Sequence, residues 1–342
     1  MTRASRFRWL AIAVALLASR PAAPDRPVDR IAVKVLVIAP TAAEIQPWTA
    51  RFGLTDTGAL AGLSPGFPSL LCNGDGVCAV ATGAGKANAA ATIAAVAFSG
   101  RFDLSVAYFL IAELARIDPS RGTLDSAVWV HGAIDVGIAW EIDARTLPVG
   151  WTTGYLGIDA SSPTAQSGVK FGTEQFTLAP ALVAKAVSLS SAVTLADAPA
   201  AAAYRALYTD AAATAAPRVM EGDTASSDTY WHGALLGQRA HDWVAQVSGG
   251  AATYTTMQQT DNATIGALTT VAGTGALDAR RIAVLHSIFH FDRPHPGQAA
   301  YDSLRADSGA LATATSNLAV VGAPVVVDIV AHWGDWQTGV PQ

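Results

Sequence analysis

Charged residues are scarce in this sequence, and basic residues are not in excess. Asp, Glu, Lys and Arg make up 14% of the 342 residues, and the formal net charge is -5 at pH 7. A protein that neutralises the phosphates of DNA or RNA needs a basic surface. The composition therefore excludes nucleic acid as the partner.

Long hydrophobic runs are lacking after Arg30, because Gly, Pro and charged residues interrupt the apolar stretches. A bilayer-spanning helix needs roughly 20 apolar residues, so no membrane span is predicted there. By contrast, a basic start, a short apolar run and small residues with prolines form the N-terminus. This order is typical of a secretory signal. We expect residues 1–26 to be a signal and linker, cleaved near Ala18 or Ala23, and the mature protein to be periplasmic or secreted; an uncleaved anchor is the alternative.

Cysteine is nearly absent: Cys72 and Cys78 are the two present, and they flank the turn-forming stretch 73–77. Half-cystines can meet across a hairpin of this size, and an oxidising compartment preserves the bond. A structural zinc site needs four ligands, which two cysteines without a nearby histidine do not supply. The spacing therefore favours a disulfide over a metal site.

Apolar residues, in contrast, make up 51% of the chain, which is enough for a large buried core. Short β-branched runs alternate with Ala-rich stretches that favour helix. We predict strands at 34–40, 104–112, 126–131, 132–140 and 281–286, and helices at 41–48, before 98, over 179–216 and over 299–332. Such alternation indicates an α/β protein with a parallel or mixed sheet and helices on both faces. We expect one domain over residues 27–342.

Five segments carry glycine, aromatic and polar residues in a recognisable order. They are TGAGKANAA at 82–90, WTTGY at 151–155, EGDTASSDTYWHG at 221–233, QTDNAT at 259–264 and FDRP at 291–294. Together they resemble the purine nucleoside permease family over nearly the whole mature chain. That family is similar to the nucleoside phosphorylases and nucleosidases, which implies a three-layer α/β/α sandwich with a mixed central sheet, a purine nucleoside as partner, and a homo-oligomer.

A glycine turn with Gly83 and Gly85 precedes the helix that contains Asn88. Backbone N–H groups at the positive end of a helix can bind an anion or an activated water; a tight strand-to-helix connection is the alternative. By resemblance to the nucleosidases, Glu44 is the carboxylate that activates water. A Glu in the first turn of a helix also serves as a plain partner of the helix dipole.

The resemblance places the ribose-binding acid at Asp261, with Gln259 before it and Asn262 after it. In related folds a Met-Glu pair binds the ribose hydroxyls there, and Thr260-Asp261 takes its place in this sequence. A shorter acid needs a closer sugar. A plain N-cap for the following helix is the alternative role of Asp261.

Related enzymes carry Ser-Asp at the end of the late strand, where the Asp protonates or binds the purine N7. This sequence has Phe289-His290 there, with Asp292 two residues later. A histidine can donate a proton near neutral pH, so His290 and Asp292 are candidate catalytic residues. The alternative is a structural histidine and an Asp292–Arg293 ion pair.

A dense polar and aromatic cluster is predicted in a loop before a helix. Its members are Asp223, Ser226, Asp228, Tyr230, Trp231 and His232. A purine offers a flat π-face and an edge of donors and acceptors, which such side chains complement. Since the spacing matches no metal-ligand pattern, we predict no metal and no cofactor, with phosphate as an alternative co-substrate.

One departure from the resemblance concerns Glu113 and Arg116, which stand where the family tends to have glycines. Glycine lets the backbone approach a ligand, whereas large charged side chains block it or add contacts. The pocket is therefore either re-tuned, with Arg116 meeting an anion, or inactive. We expect a nucleoside-cleaving enzyme, with hydrolysis ahead of phosphorolysis because no Arg stands beside the glycine turn; a nucleoside-binding protein that serves a separate transporter is the alternative.

Overall fold

The computed structural model of the protein describes residues 30–342. The predicted signal and linker, residues 1–26, lies outside the described residues. The strands are β1 (Ile31–Ala32), β2 (Val35–Ala39), β3 (Thr55–Asp56), β4 (Leu71–Cys72), β5 (Val77–Ala81), β6 (Phe102–Asp103), β7 (Tyr108–Ile117), β8 (Ala127–Asp135), β9 (Trp140–Glu141), β10 (Tyr155–Leu156), β11 (Gln175–Thr177), β12 (Val219–Ser226), β13 (Tyr254–Gln258) and β14 (Ile282–Phe291). The helices are α1 (Ala42–Phe52), α2 (Lys86–Phe98), α3 (Pro180–Ser190), α4 (Pro199–Arg205), α5 (Ala211–Thr214), α6 (Ala234–Ser248), α7 (Asp261–Ala272), α8 (Ala300–Arg305), α9 (Leu311–Ala331) and α10 (Trp333–Trp336).

A mixed sheet forms the centre of the fold, and its strands follow the order β11-β8-β12-β13-β7-β2-β5-β4-β3. The remaining strand of this sheet, β14, pairs in parallel with β7 and antiparallel with β8. Because β8 also pairs with β12, β12 with β13, and β13 with β7, these five strands close into a ring. The strands β2 and β5 extend from β7 as an open, parallel wing.

Helices cover both faces of the sheet. On one face α1 and α3 pack against α9, which lies on β14; on the other face α2 packs against α7, and α6 lies against β13. The predicted α/β/α sandwich with a mixed central sheet is therefore confirmed. Because β2 runs parallel to β7 and β13 runs antiparallel to it, the carboxyl ends of β2 and β13 meet beside the middle of β7.

Two strand predictions and one loop prediction need correction. Residues 126–131 and 132–140 were expected as separate strands, yet residues 127–135 form the single strand β8, because Gly132 continues the ladder against β11. The strand expected at 281–286 continues to Phe291, so His290 lies within β14 rather than after it. The loop expected around 223–232 begins later, since Asp223 and Ser226 are paired residues of β12.

The helix α9 is long and apolar enough, by length and composition, to cross a membrane, and 56% of its apolar window is buried inside the fold. Its buried side chains include Leu318, Val321, Val325 and Ile329. These side chains contact the sheet and the helices beside it, which is the environment of a core helix. No other helix among residues 30–342 meets the same test.

The two cysteines sit opposite each other on adjacent antiparallel strands, Cys72 on β4 and Cys78 on β5. Their Cα atoms are 4.1 Å apart, and the side chains form the predicted disulfide. Asn73 closes the hairpin, since its Oδ1 accepts hydrogen bonds from the backbone N–H groups of Asp75 and Val77. Both half-cystines are buried.

Candidate functional site

A cavity of about 210 Å³ opens at the edge where the carboxyl ends of the strands meet. The chain reaches it from the end of β2, the glycine turn after β5, the middle of β7, the loop after β12, the end of β13, and β14. Its lining residues are Pro40, Thr41, Glu44, Ala84, Glu113, Leu114, Tyr230, Gln258, Gln259, Thr260 and Phe289. The cavity therefore brings together residues that lie up to 249 positions apart in the chain.

Glu44 is the carboxylate that the first turn of α1 presents to this cavity, and its residue is 3% exposed. Its Oε1 accepts a hydrogen bond of 2.8 Å from the backbone N–H of Leu114, and its Oε2 one of 2.5 Å from Thr41 Oγ1. Burial raises the pKa of Glu44, and these hydrogen bonds oppose the rise. A held carboxylate with a raised pKa is suited to general base catalysis.

Glu113, which interrupts the apolar residues of β7, lies in the wall of the same cavity. The hydroxyl of Thr260 donates to Glu113 Oε1. Burial, helped by the charges of Asp261 and Glu44, raises the pKa of Glu113 well above its ordinary value. Glu113 thus favours the protonated form more strongly than Glu44 does. A pair that acts as acid and base needs two groups whose pKa values differ in this way.

Asp261 starts α7 but does not line the cavity, and its side chain is completely buried. Its Oδ2 lies 3.0 Å from Nε2 of His286, whose Nδ1 lies 3.0 Å from Thr256 Oγ1. The amino-terminal end of α7 is capped by Gln258, whose Oε1 accepts hydrogen bonds from the backbone N–H groups of Thr260 and Asp261. The other carboxylate oxygen of Asp261, Oδ1, has no partner in the described protein, so the ribose contact of Asp261 stays a prediction.

His286 was missed by the sequence reasoning, although a histidine inside the apolar run of β14 was a visible signal. Gln258 was missed as well, and its Nε2 has no hydrogen-bond partner within the described protein. Ser226 Oγ, at the end of β12 beside Gln258, is likewise without a partner. Gln259 lines the cavity as expected and donates from Nε2 to the carbonyl of Asp228.

A second cavity of about 510 Å³ adjoins the first, and Tyr230 lines both. Its wall is largely aromatic and apolar. The lining residues are Val136, Gly137, Ala139, Glu141, Tyr155, Ser227, Thr229, Tyr230, Trp231, His232, Leu236, Arg239, Ala300, Tyr301 and Leu304. The predicted cluster around Tyr230, Trp231 and His232 therefore faces one cavity, which is large enough for a flat ring.

Arg116 packs behind Tyr230 and is 6% exposed. Its guanidinium carbon lies 4.5 Å from the centre of the Tyr230 ring and 5.9 Å from that of Phe289. Its Nη1 lies 3.0 Å from Nδ1 of His232. Neither Arg116 nor Glu113 fills the space at the sheet edge, because Glu113 forms the wall of the 210 Å³ cavity and Arg116 lines neither cavity.

His290 is 3% exposed and lines neither cavity. Its Nδ1 donates to the carbonyl of Phe291 over 2.9 Å, and its Nε2 has no partner in residues 30–342. Burial lowers the pKa of His290, and the positive charge of Arg116 acts in the same direction. Both effects lower the fraction of His290 that is protonated near neutral pH, so less of it is available as a general acid than the sequence suggested.

The glycine turn has the left-handed backbone that glycine favours, with φ of 85° at Gly83 and 89° at Gly85. Asn88 donates back to the carbonyl of Ala84 and stabilises the turn. The N–H of Lys86, at the start of α2, donates to Asp228 Oδ1 over 2.8 Å. The helix end expected to bind an anion is therefore bound to a carboxylate of the same chain.

Asp292 is fully buried and belongs to a different network. Both of its oxygens accept hydrogen bonds from Arg293, and Oδ2 also accepts from Tyr254 Oη over 2.9 Å. Arg293 contacts Asp118 over 3.1 Å, and His241 pairs with the same carboxylate. The geometry thus matches the structural alternative, an Asp292–Arg293 ion pair, rather than a catalytic acid.

Two further candidates lie away from both cavities. Asp223 Oδ2 accepts from the backbone N–H of Thr253 and joins β12 to the start of β13. Asn262 donates from Nδ2 to the carbonyl of Thr173 over 3.1 Å and holds α7 near β11. Across residues 30–342, no group of three or more His, Cys, Asp or Glu side chains has a geometry that could hold a metal ion.

The mixed sheet, its two helical layers and the polar cavity at the strand ends define an α/β protein of the nucleoside phosphorylase-like class. A 5′-methylthioadenosine/S-adenosylhomocysteine nucleosidase of Helicobacter pylori superposes with a TM-score of 0.52 at 14% identity, over 87% of this chain and 99% of that one. The futalosine hydrolase of the same organism superposes with a TM-score of 0.51 at 13% identity, over 86% and 98%. Identities this low support the fold alone.

Sequence comparison identifies the family. The pattern of the purine nucleoside permease family matches residues 32–341. A purine nucleoside permease of Candida albicans is 31% identical over 307 residues, which cover 88% of this chain and 75% of that protein. A probable purine nucleoside permease of Schizosaccharomyces pombe is 30% identical over 315 residues, or 89% and 90% of the two chains. The chain belongs to the purine nucleoside permease family.

Proposed function

We propose that the protein binds a purine nucleoside across the two adjoining cavities and cleaves its N-glycosidic bond with water. The family and the relatives' names support a purine nucleoside as ligand. The observation that carries the enzymatic part is Glu44, a buried carboxylate held by two hydrogen bonds at the 210 Å³ cavity. The sugar lies beside Glu44, and the base lies toward Tyr230.

The chemistry uses the difference between the two carboxyl groups. Glu44 accepts a proton from water as the water oxygen bonds to the anomeric carbon. The bond from that carbon to the base nitrogen breaks, and its electron pair stays on the base. Glu113, whose pKa burial raises well above its ordinary value, supplies in its protonated form the proton that the departing base needs. The negative charge of Glu44 also stabilises the oxocarbenium-like transition state.

Water is favoured over phosphate as the acceptor for an electrostatic reason. The N–H at the start of α2 is bound to Asp228, and Lys86 Nζ is paired with Asp135 over 2.5 Å. Two carboxylates at the glycine turn repel a phosphate dianion and leave no free cation for it. This arrangement supports hydrolysis.

Capture of the nucleoside without turnover is the second candidate, and the state of His290 favours it. Burial lowers the pKa of this histidine, so little of it is protonated near neutral pH and able to give a proton to the base. In this case the protein delivers nucleosides to a separate transporter. The basic and apolar N-terminus supports a periplasmic or secreted location for either function, which detection of the protein outside the cytoplasm tests.

The test incubates the purified protein with inosine, adenosine and guanosine, with and without phosphate, and measures free base. Release without phosphate supports hydrolysis, and release that requires phosphate contradicts it. Binding measured by calorimetry without any release supports capture. If no purine nucleoside binds, both candidate functions are wrong.

A further inference from the structure

His232 stands at the wall of the 510 Å³ cavity, and one of its ring nitrogens is bound by a cation. Arg116 Nη1 lies 3.0 Å from His232 Nδ1. A guanidinium has five donors, no acceptor, and does not lose its proton in proteins. The nitrogen Nδ1 must therefore accept, and a neutral imidazole that accepts at Nδ1 carries its hydrogen on Nε2.

The surroundings of His232 keep the ring neutral. Burial lowers the pKa of His232 to about 3, and the nearby Arg116, His290 and Arg293 add to the effect. These groups come from β7, from β14 and from the segment that follows it, and each is positive or becomes positive on protonation. His232 is consequently neither a general base nor a pH switch in the neutral range.

Arg116 has no carboxylate partner, since none of the ion pairs found in residues 30–342 includes it. Its guanidinium instead stacks on Tyr230 and is buried. A buried cation of this kind is costly, so its position calls for a role. The hydrogen bond of Arg116 to the wall of the cavity is the one to His232.

The other ring nitrogen, His232 Nε2, has no hydrogen-bond partner in the described protein, although it is buried. An unsatisfied buried donor costs free energy, and an acceptor on a ligand would remove that cost. The cavity beside it is lined by the rings of Tyr155, Tyr230, Trp231 and Tyr301. Rings on the wall and one fixed N–H suit a flat heterocycle that carries a lone pair on its edge.

We propose that His232 is a specificity-determining residue, and that Arg116 is its positioning residue. Arg116 holds His232 as a neutral donor, and His232 Nε2–H binds a lone-pair acceptor on the edge of a flat nitrogen heterocycle in the 510 Å³ cavity. The choice of a purine as this heterocycle rests on the proposed function. The tautomer of His232 does not, because it follows from the contact with Arg116.

The first experiment needs no ligand. NMR of the histidine ring nitrogens is recorded between pH 4.5 and 8, with His232→Gln used for assignment. We expect His232 to show a protonated Nε2 and an unprotonated Nδ1 throughout. In Arg116→Met, which keeps an apolar stem over Tyr230, we expect both tautomers and a titration nearer the ordinary value of about 6.5. A wild-type His232 that titrates between pH 6 and 7, or that carries its hydrogen on Nδ1, overturns the proposal.

The second experiment measures the Kd of inosine and adenosine by calorimetry. His232→Gln retains an N–H donor and should bind within about threefold of wild type, whereas His232→Phe should bind about 5- to 150-fold more weakly, the range expected for a lost donor in a buried site. The control is His131→Gln, an exposed histidine paired with Glu221, which should leave Kd unchanged.

The outcomes separate this inference from the proposed function. Equal nucleoside binding by wild type and His232→Phe overturns the role of His232 and leaves the proposed function intact. No nucleoside binding by wild type overturns the proposed function and the purine as ligand, while the NMR titration still decides the protonation state that Arg116 imposes.

Discussion

Two clusters of buried polar side chains lie near the carboxyl ends of β7 and β14. They differ in how many of their polar atoms have a hydrogen-bond or ion-pair partner. The first consists of Asp118, His241, Tyr254, Asp292 and Arg293, and each of its carboxylates is bound by a cation. The second surrounds the cavities, and several of its atoms have no partner in the described protein, among them Nε2 of Gln258, Nε2 of His232 and Oγ of Ser226.

The pairing of polar atoms distinguishes structural residues from functional ones better than residue type does. Both clusters contain acids and histidines, and both follow sequence motifs that suggested catalysis. A buried polar atom without a partner costs free energy unless a ligand pairs with it. The complete pairing of Asp292 therefore agrees with the structural alternative, and the unpaired atoms near Glu44 agree with a candidate ligand site.

The largest effect is expected from Glu44→Gln, which keeps the shape of the cavity and removes the base. If the protein hydrolyses nucleosides, kcat should fall by about 10²- to 10⁴-fold, while the Tm stays near that of wild type because Gln is neutral in the same buried position. Base release and a thermal melt measure the two effects. Glu221→Gln, an exposed acid outside both cavities, is the control, and unchanged turnover in Glu44→Gln would remove Glu44 from the mechanism.

The paired cluster should respond in stability rather than in turnover. Arg293→Met leaves Asp118 and Asp292 buried without their shared cation, which costs about 3–5 kcal/mol in the free energy of unfolding. Urea denaturation measures this loss. Arg280→Met is the control, since Arg280 forms an exposed pair with Asp278 and its loss should cost much less. Equal losses in the two variants would contradict the structural role.

Glu113→Gln tests the unpaired cluster through the pH dependence of the free energy of unfolding. The folded pKa of Glu113 lies above its ordinary value of 4.5, so the folded state keeps a proton that the unfolded state loses. Stability therefore declines as pH rises from about 4.5 toward the folded pKa, by about 1.4 kcal/mol for each pH unit in that window. The variant lacks this decline, so it should match wild type near pH 4 and exceed it at pH 8 in urea denaturation. A variant less stable than wild type at pH 8 would show that Glu113 is ionised.

The smallest effect concerns Asp118 in acid. Burial alone would raise the pKa of Asp118, but the hydrogen bond from His241 and the charge of Arg293 lower it to about 2. The stabilisation by this carboxylate is complete above the unfolded value of 3.8 and is lost as pH falls toward 2. After allowance for solvent screening it amounts to about 1 kcal/mol. The difference in unfolding free energy between wild type and Asp118→Asn should shrink over that window, and a constant difference would contradict the lowered pKa.

The sequence allowed the fold class, the disulfide and the position of Glu44 to be predicted, because each depends on a local pattern. The strand 34–40 and the acid in the next helical turn lie within a few residues of each other. Adjacent antiparallel strands likewise explain why Cys72 and Cys78 meet. Such features need no knowledge of distant contacts.

Other parts of the site depend on contacts that no local pattern encodes. Asp228 binds the start of α2 from 142 positions away, so the glycine turn alone wrongly suggested an open anion site. Glu113 enters the cavity where β7 leaves β2 and pairs with β13 and β14. Asp261 turns toward His286 because of the rotation of α7, which periodicity in the sequence does not reveal.

The ring formed by β7, β14, β8, β12 and β13 has a mechanical consequence for ligand exchange. A closed ring offers no terminal strand from which hydrogen bonds can be peeled one after another. The strands beneath both cavities therefore keep their positions while a ligand binds or dissociates. We expect the movement that admits a ligand in two elements outside the ring that line the 510 Å³ cavity, the connection between β9 and β11 with Tyr155 and the short helix α8 with Tyr301.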